Sequence, residues 1–206
     1  MGTETDIKQR TSEWLQQRLG KFTASTATSI LGTPGAMQTE AMEKAIESFS
    51  GIIEDGFCSY DMQIGIDREP FAFKKFAALN PFFNVTECGF FTFGEHCGAS
   101  PDGLVNDDAI LEIKCPKKET FFKLVATQEI DKKHLAQIQV QLLATNRQRA
   151  YYFNYYIFDG VEYWHTITVE RDEVFIANYL NKLADAIVYK TVYIELLKTN
   201  QQWPLV

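Results

Sequence analysis

Apolar side chains recur at the spacing of helix turns through the first third of the chain. The pair Thr11-Ser12 precedes the first amphipathic run and suits a helix start, while Gly20 follows that run and stops it. Glycine and proline residues separate the later runs from one another. The pattern predicts helices at residues 13–19, 23–31, 36–53 and 59–79.

The pattern changes at residue 84 to short segments rich in β-branched and aromatic side chains, which is typical of strands. Turn signals such as Asp102-Gly103 separate these segments. We expect three adjacent strands of one sheet, at residues 84–93, 97–105 and 110–115.

The last third begins with a predicted helix at about residues 131–145. Two strands are predicted next, at 149–158 and 161–169, and Asp159-Gly160 between them is a strong hairpin signal. The aromatic segment 151–156 fits an interior strand that is packed on both faces better than a surface for base stacking. A long amphipathic helix is predicted at residues 174–197.

Helices on both sides of a cluster of strands indicate the α/β class, with a mixed central β-sheet flanked by helices. A chain of 206 residues is long enough for one sizeable core and short for two domains. We therefore expect a single domain, residues 1–206, with three parts. These are an N-terminal helical part at 1–57, a core at 58–170 and a C-terminal helix at 171–206.

The composition, with 46% hydrophobic and 14% aromatic residues, is that of an ordinary globular protein. No apolar run is long enough to span a membrane, and the polar N-terminus does not resemble a secretory signal, so we expect a cytoplasmic protein with no membrane partner. The cysteines lack the spacing of zinc ligands and are expected to be free thiols: Cys58, Cys88, Cys97 and Cys115.

The net charge of −7 argues, by itself, against a nucleic-acid partner, because lysine and arginine neutralise phosphates. Binding depends, however, on where the charges lie, and a divalent-metal site concentrates carboxylates of its own. The net charge therefore neither excludes DNA as a partner nor indicates it.

Two carboxylates and a lysine stand out in the predicted strands. Asp102 occupies the sharp turn Ser-Pro-Asp-Gly, and Glu112 and Lys114 lie ten and twelve residues later in an apolar strand. Strand side chains alternate, so Glu112 and Lys114 share one face. Magnesium prefers oxygen ligands and takes only a few carboxylates, which Asp102 and Glu112 would supply. Lys114 would orient and help to deprotonate a water, or stabilise charge on a phosphate in the transition state.

The same spacing has a simpler interpretation, because a Glu-x-Lys pair on a strand is often a solvated ion pair. The apolar neighbours of Glu112 and the rigid turn at Asp102 favour the metal site over that alternative. The histidines His96, His134 and His165 have no nucleophilic partner at a recognisable spacing and are expected to be solvated or turn residues.

The segments at 100–104 and 111–116 resemble the core motif of the PD-(D/E)xK nucleases, whose fold is restriction-endonuclease-like. Within that group the chain is similar to the phage alkaline exonucleases, the lambda-exonuclease and YqaJ-type viral recombinases. The likeness extends to Glu13-Trp14-Leu15, Arg18-Leu19-Gly20 and Thr23-Ala24-Ser25 near the N-terminus, and to the glutamines in 136–141.

The resemblance implies a role for each matching position. Two ions of Mg²⁺ or Mn²⁺ are expected. Their ligands would be the carboxylates of Asp102, Glu112 and Glu69 and a backbone carbonyl beside Glu112, such as that of Ile113. The catalytic residues would be Asp102, Glu112, Lys114, Glu69 and Gln137. Gln139 or Gln141 remains open as the inward-facing glutamine, and Glu69 could instead pair with a nearby basic residue. The 5′ phosphate of DNA would be bound by Arg18, Ser25 and Ser100.

By the same resemblance, the protein would be an exonuclease that degrades double-stranded DNA from 5′ to 3′ and releases mononucleotides. It would leave 3′ single strands for an annealing protein during phage recombination and act as a ring-shaped homotrimer in a bacterial host. The alternatives are a structure- or sequence-specific endonuclease and an inactive DNA-binding module. A basic channel is expected at Lys117, Lys118, Lys123, Lys132, Lys133, Arg147 and Arg149.

Overall fold

The computed structural model describes residues 2–5, 7–53 and 59–200. Within these ranges the chain forms helices joined by short connections, and a single 3₁₀ turn at Ala24–Thr26 precedes the second helix. The α-helices are α1 (Ser12–Arg18), α2 (Ala27–Leu31), α3 (Pro34–Ser50), α4 (Tyr60–Leu79), α5 (Lys118–Thr127), α6 (Lys132–Thr145) and α7 (Glu173–Asn200).

The strands of the described ranges form two sheets. In chain order they are β1 (Thr3–Thr5), β2 (Phe22–Thr23), β3 (Val85–Thr86), β4 (Phe90–Phe93), β5 (Cys97–Ala99), β6 (Gly103–Val105), β7 (Ala109–Lys114), β8 (Arg149–Phe158) and β9 (Val161–Glu170). One sheet has the order β1-β4-β5-β2 and the other the order β3-β6-β7-β8-β9. Each sheet contains one parallel pair, β2 with β5 and β7 with β8, and is otherwise antiparallel.

The five-stranded sheet is covered on both faces. Leu111 and Ile113 of β7 pack with Phe76 of α4 on one face. Ile110 of the same strand packs with Ile138 of α6 on the other face. This alternation follows from the two-residue period of a strand. The predicted α/β class with helices around a mixed sheet is confirmed.

The four-stranded sheet belongs to a second apolar cluster with α2, α3, α6 and α7. Phe22 of β2 and Ala99 of β5 are buried there against helical side chains such as Tyr179 and Leu183 of α7. The helical first third, the smaller sheet and the C-terminal helix therefore share one core.

Local signals account for most of the predicted elements. The Thr11 side chain accepts a hydrogen bond from Trp14 N and caps α1, and Ser59 caps α4 in the same way at Met62 N. Gly51 ends α3 in the left-handed region with φ of 71°. Asp159 and Gly160 have φ of 50° and 74°, which a type I′ turn requires, and the hairpin of β8 and β9 is confirmed.

The prediction of three adjacent strands at residues 84–115 is wrong in its pairing. Residues 84–93 and 97–105 each divide into two strands that belong to different sheets. The second division falls at Pro101, which has no backbone N–H to donate to a ladder. The first falls at Gly89, where a Cβ atom would lie 1.9 Å from the Thr5 carbonyl oxygen. The chain thus crosses between sheets at two points.

The helix α5 was not predicted. Its sequence mixes threonine, phenylalanine and valine, and Lys117 at its start makes no side-chain cap. Phe121 and Leu124 are nevertheless buried one turn apart, so tertiary packing stabilises the helix.

Three of the four cysteines are free in the structure: Cys88, Cys97 and Cys115. Cys58 and the predicted boundary between residues 57 and 58 lie outside the described residues. In the described ranges, no helix combines the length and the apolar character needed to cross a membrane.

Candidate active site

The strand β7 carries two charged side chains on the face that α6 covers. Glu112 is 1% exposed, and its Oε1 lies 2.5 Å from Nζ of Lys114. The prediction that these two residues share a strand face is confirmed. The pair is not the solvated surface pair of the simpler interpretation, because the carboxylate is fully enclosed.

Two glutamines of α6 complete the surroundings of that carboxylate. Gln137 Nε2 donates to Oε1 of Glu112 at 2.8 Å, and Gln141 Nε2 donates to Oε2 at 2.7 Å. The two are four residues apart and therefore lie on one face of the helix. Gln139 points elsewhere and bonds to the backbone of Glu170 and Asp172. The choice left open among the three glutamines is resolved: two face Glu112, and Gln139 does not.

Asp102 is fixed beside the same strand by two hydrogen bonds. Its backbone N–H donates to the Leu111 carbonyl at 3.0 Å, and its Oδ2 accepts from Ile113 N at 2.6 Å. The turn that begins at Pro101 therefore holds the carboxylate rigidly next to β7, as the sequence predicted.

Negative charge exceeds positive charge in this cluster, and the excess changes the pKa values of its members. Burial, together with the carboxylates of Glu112 and Glu69, raises the pKa of Asp102 well above its usual value. Burial opposes the charge on Lys114, but Glu112 and Asp102 outweigh it and raise the pKa of the ammonium. Lys114 is therefore a cation at neutral pH, and a cation can orient water or stabilise charge but cannot accept a proton.

Glu69 of α4 lines a cavity of about 560 Å³ together with Asp102 and Ile113. Its Oε2 accepts from Arg10 Nη2 at 2.5 Å. The possibility that Glu69 pairs with a basic residue is thus realised, although Arg10 is 59 residues away in sequence.

The donor set of this cavity fits a hard divalent cation. Asp102 and Glu69 line the cavity and offer carboxylate oxygens, and Ile113 offers a backbone carbonyl. Glu112, the neighbour of Ile113 in β7, does not line the cavity but would add a further carboxylate. The repulsion that raises the pKa of Asp102 would be relieved by positive charge at that point. Among the described residues, no three acidic, histidine or cysteine side chains already converge around a point. A metal would therefore have to draw these ligands together, with Glu112 exchanging part of its contact with Lys114.

A second group of predicted residues meets around Trp14. Trp14 Nε1 donates to Ser100 Oγ at 2.9 Å, and the Arg18 guanidinium lies 4.2 Å from the Trp14 ring centroid. Burial lowers the pKa of Arg18 to about 10, with Glu47 opposing the shift, so the side chain remains charged at neutral pH. Within the described part of the chain, no carboxylate lies within 4.0 Å of that guanidinium. It is a desolvated cation suited to an anionic ligand.

Ser25 lies at the same sheet edge as Ser100. The parallel pairing places Thr23 opposite Gly98, and each serine lies two residues after its member of that pair. Ser25 is exposed, and its hydroxyl is 2.9 Å from that of Thr23. Ser100 also connects this group to the carboxylate cluster, because its carbonyl accepts from Gln141 Nε2 at 3.3 Å.

The expected basic channel is partly wrong. Arg147 Nη1 donates to the carbonyls of Val105, Asn106 and Ala109, so it holds a turn of the chain together. Arg149 pairs with Asp108 at 3.3 Å. The remaining basic positions are exposed: Lys117, Lys118, Lys123, Lys132 and Lys133.

His134 is not the solvated residue that was expected. Its Nδ1 and the hydroxyl oxygen of Tyr152 are 2.7 Å apart, and Tyr152 pairs with Glu112 in the sheet register. Sequence reasoning gave Trp14 no role in the site and named Gln141 only as an alternative to Gln137, whereas both glutamines contact Glu112. For Gln141 a signal was present, because only residues three or four apart share a helix face with Gln137.

Comparisons with known proteins identify the family and the fold of the chain. A family model described as the YqaJ-like viral recombinase domain matches residues 13–148. The chain is similar to the crystal structure of an alkaline exonuclease, LHK-Exo, from Laribacter hongkongensis, with 30% sequence identity and a TM-score of 0.84. That match covers 92% of this chain and 97% of the other. A search of curated proteins found no match.

Two further structures are similar. LHK-Exo in complex with dAMP is 29% identical with a TM-score of 0.82, over 92% of this chain and 97% of that one. A phage related exonuclease from Haemophilus somnus 129PT is 14% identical with a TM-score of 0.67, over 88% of this chain and 96% of that one. At that identity, the last similarity concerns the fold alone.

Proposed function

The chain belongs to the YqaJ-like viral recombinase family and is similar in structure to the alkaline exonuclease LHK-Exo. From that premise we propose a metal-dependent 5′→3′ exonuclease of double-stranded DNA. The observation that carries the proposal is the cluster of Asp102, Glu112 and Lys114. A buried carboxylate and an ammonium lie on strand β7, and a second carboxylate of raised pKa lies in the turn beside it.

Mg²⁺, or Mn²⁺ in its place, is the proposed cofactor, with two ions. Asp102, Glu112, Glu69 and the Ile113 carbonyl would hold it. When bound, the metal supplies Lewis-acid charge that lowers the pKa of water and offsets the negative charge of the phosphate. Gln137 and Gln141 keep the Glu112 carboxylate in place through their hydrogen bonds.

The reaction is an in-line displacement at phosphorus. The oxygen of water bonds to the phosphorus, the bond from phosphorus to the 3′ oxygen breaks, and that oxygen takes a proton. Lys114, whose ammonium contacts Glu112, would orient the water and stabilise charge on the phosphate oxygens. The products are a nucleoside 5′-monophosphate and a strand with a new 5′ phosphate. LHK-Exo forms a complex with one such monophosphate, dAMP, which supports this product for the present chain.

The proposed 5′ polarity rests on the group around Trp14. Arg18 offers a guanidinium that matches a phosphate dianion, and Ser25 and Ser100 offer hydroxyls from one sheet edge. Gln141 connects this group to the metal ligands, because its Nε2 donates both to the Ser100 carbonyl and to Oε2 of Glu112. Each cleavage creates a new 5′ phosphate, so the same pocket would serve in successive cycles.

On the family resemblance, we also propose a homotrimer around the DNA, an annealing protein as the partner that takes the 3′ strands, and action in the cytoplasm of a bacterial host. Several apolar side chains on α7 are exposed, among them Val174 at 82% and Val188 at 63%. Apolar surface of this kind is commonly covered by self-association.

We expect the protein with Mg²⁺ to shorten linear duplex DNA and release mononucleotides, and EDTA to stop the release completely, because the carboxylates would lack their cation. Ends with a 5′ phosphate should be degraded about tenfold faster than 5′ hydroxyl ends. One charge-assisted hydrogen bond to the phosphate contributes a binding free energy that corresponds to about this factor. Release of acid-soluble nucleotide from end-labelled duplexes measures both effects.

Closed circular plasmid is the control substrate for that experiment. It should remain intact under conditions that consume linear DNA. Cutting of the circle would instead support an endonuclease, and binding of duplex with no metal-dependent release would support an inactive module. Faster release of 3′ labels than of 5′ labels would contradict the proposed polarity.

Arg18→Gln is expected to remove the preference for 5′-phosphorylated ends. The variant should degrade phosphorylated duplex about 10-fold more slowly, because one charge-assisted hydrogen bond to phosphate is lost, and degrade 5′ hydroxyl duplex at the native rate. Lys182→Gln, which removes an exposed cation from α7, should keep the native preference. An Arg18→Gln protein that still discriminates between the two ends would overturn the pocket assignment.

A further inference from the structure

The N-terminal segment 7–10 forms one wall of the cavity that contains Glu69 and Asp102. Gln9 fixes this segment, because its Nε2 donates to the Pro101 carbonyl at 2.7 Å and to the Cys88 carbonyl at 3.0 Å. The segment is therefore anchored to the turn that holds Asp102.

Arg10 projects from that segment to Glu69. Its Nη2 is 2.5 Å from Oε2 of Glu69, and 45% of its side chain is exposed. Its backbone has φ of 66°, in the left-handed region that residues other than glycine seldom occupy. Such a conformation persists only where the neighbouring structure enforces it, and it is a reason to look for a function.

Glu69 thus has two competing partners. The oxygen that accepts from Arg10 belongs to the carboxylate that we assign to the metal, and Mg²⁺ demands near-ideal octahedral geometry from its ligands. A metal that engages Glu69 fully would displace the guanidinium. Gln9 on one side and the helix cap at Thr11 on the other hold the backbone of Arg10 in place. The displaced guanidinium would therefore remain at the rim of the cavity.

We propose that Arg10 is a substrate-binding residue that changes partner, from Glu69 in the metal-free protein to a phosphate oxygen of the DNA strand once metal engages Glu69. The inference rests on the proposed function for the metal and the substrate. An arginine suits this exchange because its planar fork matches carboxylate and phosphate equally well. Because coupling is reciprocal, DNA that takes Arg10 from Glu69 also strengthens metal binding.

The first test measures equilibrium binding of a fluorescent duplex with Ca²⁺ as the probe metal and again in EDTA. Arg10→Gln should weaken binding about tenfold in Ca²⁺ and reduce the salt dependence by about one phosphate contact. In EDTA, where Glu69 retains Arg10, the variant and the native protein should bind alike. Equal weakening with and without metal, or none with metal, would overturn the exchange.

The second test titrates Ca²⁺ into the DNA-free protein by calorimetry. Arg10→Gln should bind the ion about two- to fivefold more tightly, because a competing ion pair of the partly exposed kind is gone. Unchanged or weaker metal affinity would show that Arg10 and the metal do not share Glu69, and the proposal would fail.

Glu69→Gln gives an independent check, because it breaks the ion pair without metal. In that background, Arg10→Gln should weaken DNA binding in EDTA too, and the absence of that effect counts against the proposal. Lys8→Gln, which removes the neighbouring exposed cation, is the matched control and should have the same effect with and without Ca²⁺.

Hydrolysis by the native protein in Mg²⁺ is assayed separately. A metal-dependent Arg10 effect without hydrolysis would refute the proposed function and leave this inference standing.

Discussion

Asp102→Asn is expected to lower the rate of duplex degradation about 10³-fold and to make the metal-free protein more stable. The loss follows from removing a proposed metal ligand, since Lewis-acid stabilisation contributes several kcal/mol and each 1.36 kcal/mol is about a factor of ten. The gain follows from the raised pKa of Asp102, because its charge is disfavoured by burial and by Glu112 and Glu69. The amide can still accept from Ile113 N, so the turn should persist.

The stability gain should depend on pH in a defined direction. The folded protein binds the Asp102 proton more tightly than the unfolded chain, so ionising this group destabilises the fold. Below the usual pKa of aspartate both states are protonated, and the variant has no advantage. The advantage appears as the pH rises above that value, grows until the raised pKa is passed and is then constant. Relief of about 1 kcal/mol would raise the Tm by about 2–4 °C.

Thermal melts in EDTA and nucleotide release in Mg²⁺ measure the two effects on one preparation. Asp107→Asn is the matched control, because it neutralises an exposed aspartate in the turn before β7, and it should change neither quantity much. An Asp102→Asn protein that retains native activity would refute the ligand assignment. One that melts at a lower temperature would refute the electrostatic argument.

The parts of the site that the sequence could predict are those that local geometry determines. Glu112 and Lys114 share a face because a strand has a two-residue period, and Asp102 is rigid because proline and glycine flank it. Capping residues and the Asp159-Gly160 turn fixed the helix starts and the hairpin for the same reason. The assignment of Arg18, Ser25, Glu69 and Gln137 came from resemblance.

The rest depends on contacts between distant parts of the chain. Arg10 meets Glu69 across 59 residues, and Trp14 meets Ser100 across 86. No periodicity within either segment carries that information. Likewise, the division of residues 84–105 between two sheets is decided by partners elsewhere, such as β1 for β4. Rotation of α6 decided which glutamines face Glu112, and neighbouring elements set that rotation.

Lys114→Met is expected to reduce nucleotide release about 10³-fold and to destabilise the metal-free protein by about 3–5 kcal/mol. Methionine keeps the length of the aliphatic stem and removes the charge that stabilises the transition state. The destabilisation arises because Glu112, 1% exposed, would be left as a buried carboxylate with only amide donors. For a chain of this size, that corresponds to a Tm lower by roughly 6–20 °C.

The double variant Lys114→Met/Glu112→Gln separates the two effects. It removes the buried charge along with its partner, and it should recover most of the lost Tm in EDTA while remaining inactive in Mg²⁺. Ca²⁺ should raise the Tm of Lys114→Met more than that of the native protein, because a cation can replace the lost ammonium beside Glu112. A double variant no more stable than Lys114→Met would contradict the pairing. A single variant with near-native release would remove Lys114 from catalysis. Recovered stability in the double variant would show that the pair stabilises the fold, and the loss of release in the single variant, tested at a temperature where it is folded, would assign Lys114 to the chemistry.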